Sequence, residues 1–389
     1  MKAGWKAGQI GDVCTVIAGQ SPKGSAYNDD GVGLPFYQGK KEFRDRHIGP
    51  PTTWTSVVTK EGESGDILMS VRAPVGPINE ATQRICIGRG LAAIRAKDGL
   101  DRDFLWYALL WLQPTIKGSA GAVFDSINKA GIESLPIPLP PLEEQQRIVA
   151  VLDEAFEGLA RARAHAEANL QNARELFDNF ATGIFSQTLE EHGQTTLKDV
   201  CEFITDGTHQ TPTYFDSGFL FLSAKNIKDG QLDWKDVKYI DEVQHIAMQK
   251  RLAPRLGDLL IRKNGAGYGA AALVDRDVIF DVYVSLAVLR PKNFILPEYM
   301  LQFANSSFAQ SQFKDRIKGQ GVPNLHLQEI RQVKLPVPND IRVQKDIADK
   351  IQTAFEAIRV VESTYQKKLQ DLDDLRRSLL QKAFAGELT

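Results

Sequence analysis

Basic and amide side chains stand at matching places in two distant stretches of this sequence. Lys40, Lys41, Arg44 and Arg46 fall in QGKKEFRDRH, just after the apolar run LPFY, and Arg72 follows GDILMS. Far downstream, Lys225 and Asn226 follow FLFLSA, and Arg262, Lys263 and Asn264 follow GDLLI. Arg, Lys, Asn and Gln are the side chains that donate and accept at base edges and neutralise phosphates. The chemistry on offer is therefore hydrogen bonding to a polyanion, not bond making. A polar loop precedes each set: Gln20, Ser21 and Lys23 in AGQSPKG, and Thr208, His209 and Gln210 in TDGTHQTP. His209 has no second His or Cys at ligand spacing, so it reads as a hydrogen-bonding loop residue and not as a metal ligand. Tyr268, between glycines in GAGYGA, is the aromatic best placed to stack; Trp54, Phe124 and Trp234 read as packing residues.

Bond-making signatures are missing. The Pro-Pro pairs, Pro50-Pro51 and Pro140-Pro141, follow Gly49 and Leu139, so neither forms the [DNS]PP[YFW] tetrapeptide of an amino-methyltransferase. There is no Walker loop and no Glu-x-Lys to complete a nuclease metal site. GAGYGA follows a strand-like run and opens no long helix, so it reads as a tight turn and not as a nucleotide cradle. Cys14, Cys86 and Cys201 are isolated thiols, which argues against a zinc site or a disulfide framework.

These residues must be positioned by something, and the sequence repeats its scaffold. GDVC at Gly11–Cys14 returns as KDVC at Lys198–Cys201, LPFYQGK as FLFLSAK, GDILMS as GDLLIR, and LAAIR at Leu91–Arg95 as LAVLR at Leu286–Arg290. LPIP at Leu135–Pro138 returns as LPVP at Leu335–Pro338. Matched order over a period a little under two hundred residues marks a tandem repeat. Short apolar runs bounded by Gly, Pro, Asn and Asp read as strands at Gly33–Tyr37, Asp66–Ser70, Gly90–Arg95, Phe219–Ser223, Asp258–Arg262 and Tyr283–Arg290. Asp103–Leu112 and Pro297–Asn305 read as helices, making each module an α+β unit built on a twisted sheet.

A long helix follows each module. Pro136, Pro138, Pro140 and Pro141 make an extended lead, after which no proline occurs to Phe185. Ile148, Leu152, Ala155, Leu159, Ala162, Ala166, Asn169, Ala173, Leu176 and Phe180 step by four and three, the spacing of a seam that packs on another helix. Such a helix would be on the order of 60 Å long. The C-terminal stretch repeats the pattern with Ile347, Ile351, Ala354, Ile358, Val361, Tyr365, Lys368, Leu372, Leu375 and Leu379. The expected division is 1–140 and 191–338 as globular modules, with 141–190 and 339–389 as antiparallel helices of a coiled coil. Net charge is −2, with +2 on each of 1–140 and 196–338 and −6 on 141–195, so general phosphate attraction is too weak to explain binding alone. No apolar run reaches membrane-spanning length and the N-terminus lacks a signal peptide's apolar core, which places the chain in the cytoplasm.

Two variable modules, GDxL at Gly65–Leu68 and Gly257–Leu260, the lead LPIPLPPLEEQQRI at Leu135–Ile148 and the closing LLQKAFAGEL at Leu379–Leu388 resemble the specificity (S) subunit of type I restriction-modification systems, the HsdS family. The likeness spans essentially the whole chain. It implies two target-recognition domains joined by long antiparallel helices in a pseudo-twofold tandem repeat, each domain reading one half of a split target on double-stranded DNA. It further implies two methyltransferase (M) subunits held by the helices, restriction (R) subunits in the larger assembly, and no catalytic site in this chain. S-adenosylmethionine, ATP and Mg would then belong to the partners. One departure is that the second repeat has NDIRVQKDI where the first has PLEEQQRI, so the two partner surfaces need not be equivalent. Two other classes stay open: an adaptor whose modules bind proteins and a self-contained enzyme.

Overall fold

The computed structural model describes residues 2, 4–116, 126–265, 267–317 and 323–388. The chain forms two compact units, Met1–Ala166 with Lys367–Thr389 and Glu167–Gln366, so each unit combines a globular module with part of both long helices.

The repeat is visible in the sheets. In the first unit an antiparallel sheet runs in the order Cys14–Ala18, Leu91–Ala96, Ile67–Ser70, Ile78–Glu80; in the second the order is Cys201–Asp206, Leu286–Pro291, Leu259–Arg262, Ala271–Leu273. The LAxxR strand lies inside each sheet, and its alternating side chains feed opposite faces. Ala92 and Ile94 join a core shared with Phe104 and Ile148, while Leu91 and Ala93 join a second core with Tyr37 and Ile85. Ala287 and Leu289, against Leu286 and Val288, divide in the same way. A strand buried on both faces explains why these runs are continuously apolar instead of alternating. A parallel pairing completes each module, Phe36 opposite Cys86 and Leu220 opposite Phe280.

The GDxL and LAxxR motifs recur because they bind one another. Asp66 accepts two hydrogen bonds from Arg95, at 2.7 and 2.8 Å, and a third from the backbone N–H of Glu63 at 2.8 Å. Asp258 does the same with Arg290, at 2.8 and 2.8 Å, and with the N–H of Arg255 at 2.9 Å. Both carboxylates are buried. The glycine before each adopts a φ of 88°, a turn conformation that other residues adopt only with strain.

The proline leads are short edge strands, Pro136–Leu139 against Lys6–Gln9 and Lys334–Pro336 against Gln194–Thr196. Proline fits there because an edge strand spares a donor. The long helices that follow span Leu142–His192 and Ile341–Ala385. Gln145 sits near the first helix start and ties it to its module, accepting from the N–H of Asp101 at 2.8 Å and donating to the carbonyls of Gly99 and Pro140. Gln344 repeats this with Leu296, Phe294 and Pro338.

The helices pair antiparallel within each unit. In the first, Arg163 pairs with Asp373, Arg376 lies over the Phe156 ring, and Phe384 packs on Phe104 and Trp111. In the second, Arg174 meets Glu362 at 2.6 Å, Phe177 meets Phe355, and Phe185 packs on Tyr299 and Phe303. The expected seam holds from Ile148 through Ala166, then departs. Leu176 and Phe180 are exposed, and Phe177, Ala181 and Phe185 take their place. A straight helix drifts about 20° per heptad against a strict repeat. Over four heptads that is close to the rotation between neighbouring residues, so the buried face moves on by one position.

Candidate nucleic-acid interface

In both modules the first sheet strand ends at a glycine that only glycine can occupy. A Cβ on Gly19 would lie 2.2 Å from the Gly88 carbonyl oxygen, and one on Gly207 would lie 1.8 Å from that of Val282. The polar loop after each glycine is thereby pressed against the end of the neighbouring strand, and a cleft opens beside it.

In the first module the cleft is about 760 Å³. Ser21 donates to the Gln38 side-chain oxygen at 2.8 Å and accepts the N–H of Arg89 at 3.2 Å, which brings three separate segments to one rim. Lys41 lines the same cleft, and Lys40 and Lys23 are exposed on neighbouring turns. Arg44 is exposed and lies over Gly49. Arg72 is also exposed, its backbone bridged to Ser126. Arg46 is differently placed. Its guanidinium binds Glu80 at 3.0 Å and Asp103, and sits over the Trp106 ring, so it ties the Ile78–Glu80 strand to the Arg102–Leu112 helix.

The second module corrects more of the sequence reading. Asn226 is buried: its amide donates to the carbonyls of Asp233 and Asp236, and its oxygen accepts the N–H of Ser223. It organises a turn and offers nothing to a ligand. Lys263 is buried with its Nζ 2.5 Å from Asp206. Arg262 is half-buried and donates to the Ile227 carbonyl at 2.5 Å. Its guanidinium also fills the space where a Gly267 Cβ would fall, which accounts for a glycine in the GAGYGA turn. Lys225 is exposed but paired with Asp236 at 3.0 Å, and Asn264 is exposed with its backbone bridged to Asn324.

Thr208 and His209 flank a cleft of about 290 Å³ whose lining includes Gln210, Thr211, Gln244 and Arg251. Thr208 is held by backbone bonds to Val282 and Val284. His209 lies 3.2 Å from Asp206. Tyr268 lies away from that lining, packed on the edge of the core and bordering a depression with Ser307, Gln310 and Lys314. Trp234 is a packing residue, its N–H on Asp275 at 2.8 Å and its ring against Phe280. Trp54 pairs through its strand with Asn28 and Pro35; Phe124 lies outside the described residues.

Sequence reasoning missed Arg89 and Arg251. Arg89 carries a local signal, since in GRG a Cβ at Gly88 or Gly90 would meet the Gln38 backbone, fixing Arg89 at a rim. Arg251 carries none. Burial pushes the Cys14 and Cys201 thiols up to about 12, so both are inert at neutral pH. Among the described residues no group of three or more His, Cys, Asp or Glu is placed to hold a metal ion, and no helix is long and apolar enough to cross a membrane.

Comparison with known proteins bears on the fold and the family. The model of the type I restriction modification DNA specificity domain matches twice, over residues 2–165 and 190–370. The MjaX specificity subunit of Methanocaldococcus jannaschii is 40% identical over 45% of this chain and 42% of its own length. The EcoBI specificity subunit of Escherichia coli is 21% identical over 99% of this chain and 86% of its own. Among solved structures, a chain from a study of complex assembly and conformational transition of the type I R-M system superposes with a TM-score of 0.79 at 19% identity, covering 100% of this chain and 99% of that one. The HsdS subunit of Thermoanaerobacter tengcongensis gives 0.55 at 18% identity over 100% and 98%. With its family model matched over both repeats, the chain belongs to the type I restriction-modification DNA specificity family.

Proposed function

We propose that this chain is the DNA-recognition subunit of a type I restriction-modification complex, in which each module reads one half of a bipartite target. The observation that carries this reading is the repeated cleft: in each module a polar loop, fixed by an obligatory glycine, meets a strand end and presents hydrogen-bonding side chains. Such side chains read base edges while neighbouring lysines set register on phosphates. The chain supplies recognition only; adenine methylation and cleavage belong to partner methyltransferase and restriction subunits, which bring S-adenosylmethionine, ATP and Mg. The long helices dock two methyltransferase subunits and set the gap between half-sites. The assembly works in the cytoplasm.

The test is base-resolved mapping of methylated adenines in cells expressing the chain with its neighbouring methyltransferase subunit, against cells lacking the chain. A split motif with a fixed gap, present only with the chain, is the expected result. Methylation independent of the chain, or none, overturns the proposal. A duplex complex that weakens steeply with salt separates DNA binding from protein adaptation.

A further inference from the structure

We infer that Arg251 is a base-reading residue of the second module and that Asp206 is the positioning residue that holds it; the inference rests on the DNA-recognition reading above. Asp206 is buried at the end of its strand and each of its oxygens is occupied. Oδ2 accepts from the buried Lys263 at 2.5 Å, and Oδ1 is shared by Arg251 at 3.1 Å and His209 at 3.2 Å. Arg251 is fixed a second time, donating to the Gly207 carbonyl at 3.0 Å. One buried carboxylate thus anchors two side chains that both reach solvent, with 51% of Arg251 and 66% of His209 exposed.

The first module shows that the sheet does not need this arrangement. By hydrogen-bond register, Ala92 faces Ala18 where Ala287 faces Asp206. The N–H of Val71 bonds to Gly90 where that of Lys263 bonds to Ser285. An exposed alanine, Ala18, and a half-buried valine, Val71, stand at the two register positions that Asp206 and Lys263 occupy. A buried ion pair is seldom more stabilising than an apolar pair of similar size, so stability alone does not account for it. What the pair adds is an anchored guanidinium at the cleft. A guanidinium has five donors; two are used on the protein, and the others suit the two acceptors of guanine in the major groove.

Methylation motifs would be mapped for the full-length wild type, Arg251→Ala and Asp206→Asn, each with the methyltransferase partner. Arg251→Ala leaves the Asp206–Lys263 pair in place and so tests readout without opening the core. The expected result is that one guanine in one half-site becomes degenerate, its preference falling by on the order of tenfold or more, with the other half-site intact. Asp206→Asn should relax that same position, an effect a purely structural role would not produce. A wild-type split motif that stays unchanged in Arg251→Ala overturns the inference while leaving the recognition role standing. Absence of any chain-dependent motif in the wild type removes the recognition role itself, and the inference with it.

Discussion

Arg290 donates to both oxygens of Asp258, each at 2.8 Å, and so joins the turn that opens one strand to the strand beside it. The carboxylate is 1% exposed and the arginine side chain 14%. Hydrogen bonding to Asp258 raises the Arg290 pKa still further, so the guanidinium stays charged. Asp258→Ala leaves a mostly buried cation and the Arg255 N–H without their partner. The expected cost is about 3–5 kcal/mol of unfolding free energy, read from urea denaturation. A cost below about 1 kcal/mol would show that the clamp is incidental.

The slip of the helix seam yields a paired prediction. Phe185→Ala empties a site between Tyr299 and Phe303 and should destabilise by about 3–5 kcal/mol. Leu176→Ala, at an exposed position that strict heptad spacing assigns to the seam, should change stability by less than about 0.5 kcal/mol. Thermal unfolding of the two variants checks both; equal losses would restore the strict heptad.

Acid should loosen the second module through Asp206. Burial opposes its ionisation, but the hydrogen bond and charge of Lys263, followed by those of His209, outweigh burial and hold its pKa below the ordinary 3.8. With the folded value depressed, the stabilisation is complete above the ordinary carboxylate range. It is lost as pH falls through the folded value, where protonation leaves the Lys263 charge buried without its counter-ion. Asp206→Asn should therefore be less stable at neutral pH and show a flatter decline below about pH 4, as followed by fluorescence-monitored urea unfolding across pH.

Spacing should follow helix length. Both long helices pass from one unit to the other, between Ala166 and Glu167 and between Gln366 and Lys367. Deleting one heptad from each at those junctions keeps the seam in phase, and should change the gap in the methylated motif while leaving both half-sites as they were. Altered half-site bases with an unchanged gap would contradict the spacer role.

The scaffold was more legible than the interface. Repeated motifs located the strands to within a few residues, because GDxL and LAxxR repeat a local turn and a two-faced buried strand. The helices were legible because their seams are periodic. What could not be read was which polar residues the protein uses on itself. Lys263, Asn226 and Arg46 look like ligand-binding residues in sequence, yet their partners Asp206, Asp236 and Glu80 lie ten to several tens of residues away and are set by tertiary contact. Asn226 did carry a local sign, since Ser223 stands three residues before it and the two cap a short turn reciprocally. Arg251 is the opposite case: only the folded chain brings it to Asp206.

The two units differ in how they draw on the chain. Glu167–Gln366 is one unbroken stretch, whereas the other unit joins the first residues to the last. Leu380, Ala383 and Phe384 belong to the core that Phe104 and Ile148 also line. On a ribosome the second unit therefore has all its parts first, and the first must wait to close until the helix carrying Leu380, Ala383 and Phe384 has been made. At roughly 5–20 residues per second, the wait after Ala166 is about 10 to 45 s, during which the Phe104 and Trp111 surface that Phe384 will cover stays open. Order of synthesis and order of completion are thus reversed, and the module made first is the one most exposed to proteases and chaperones until Phe384 arrives.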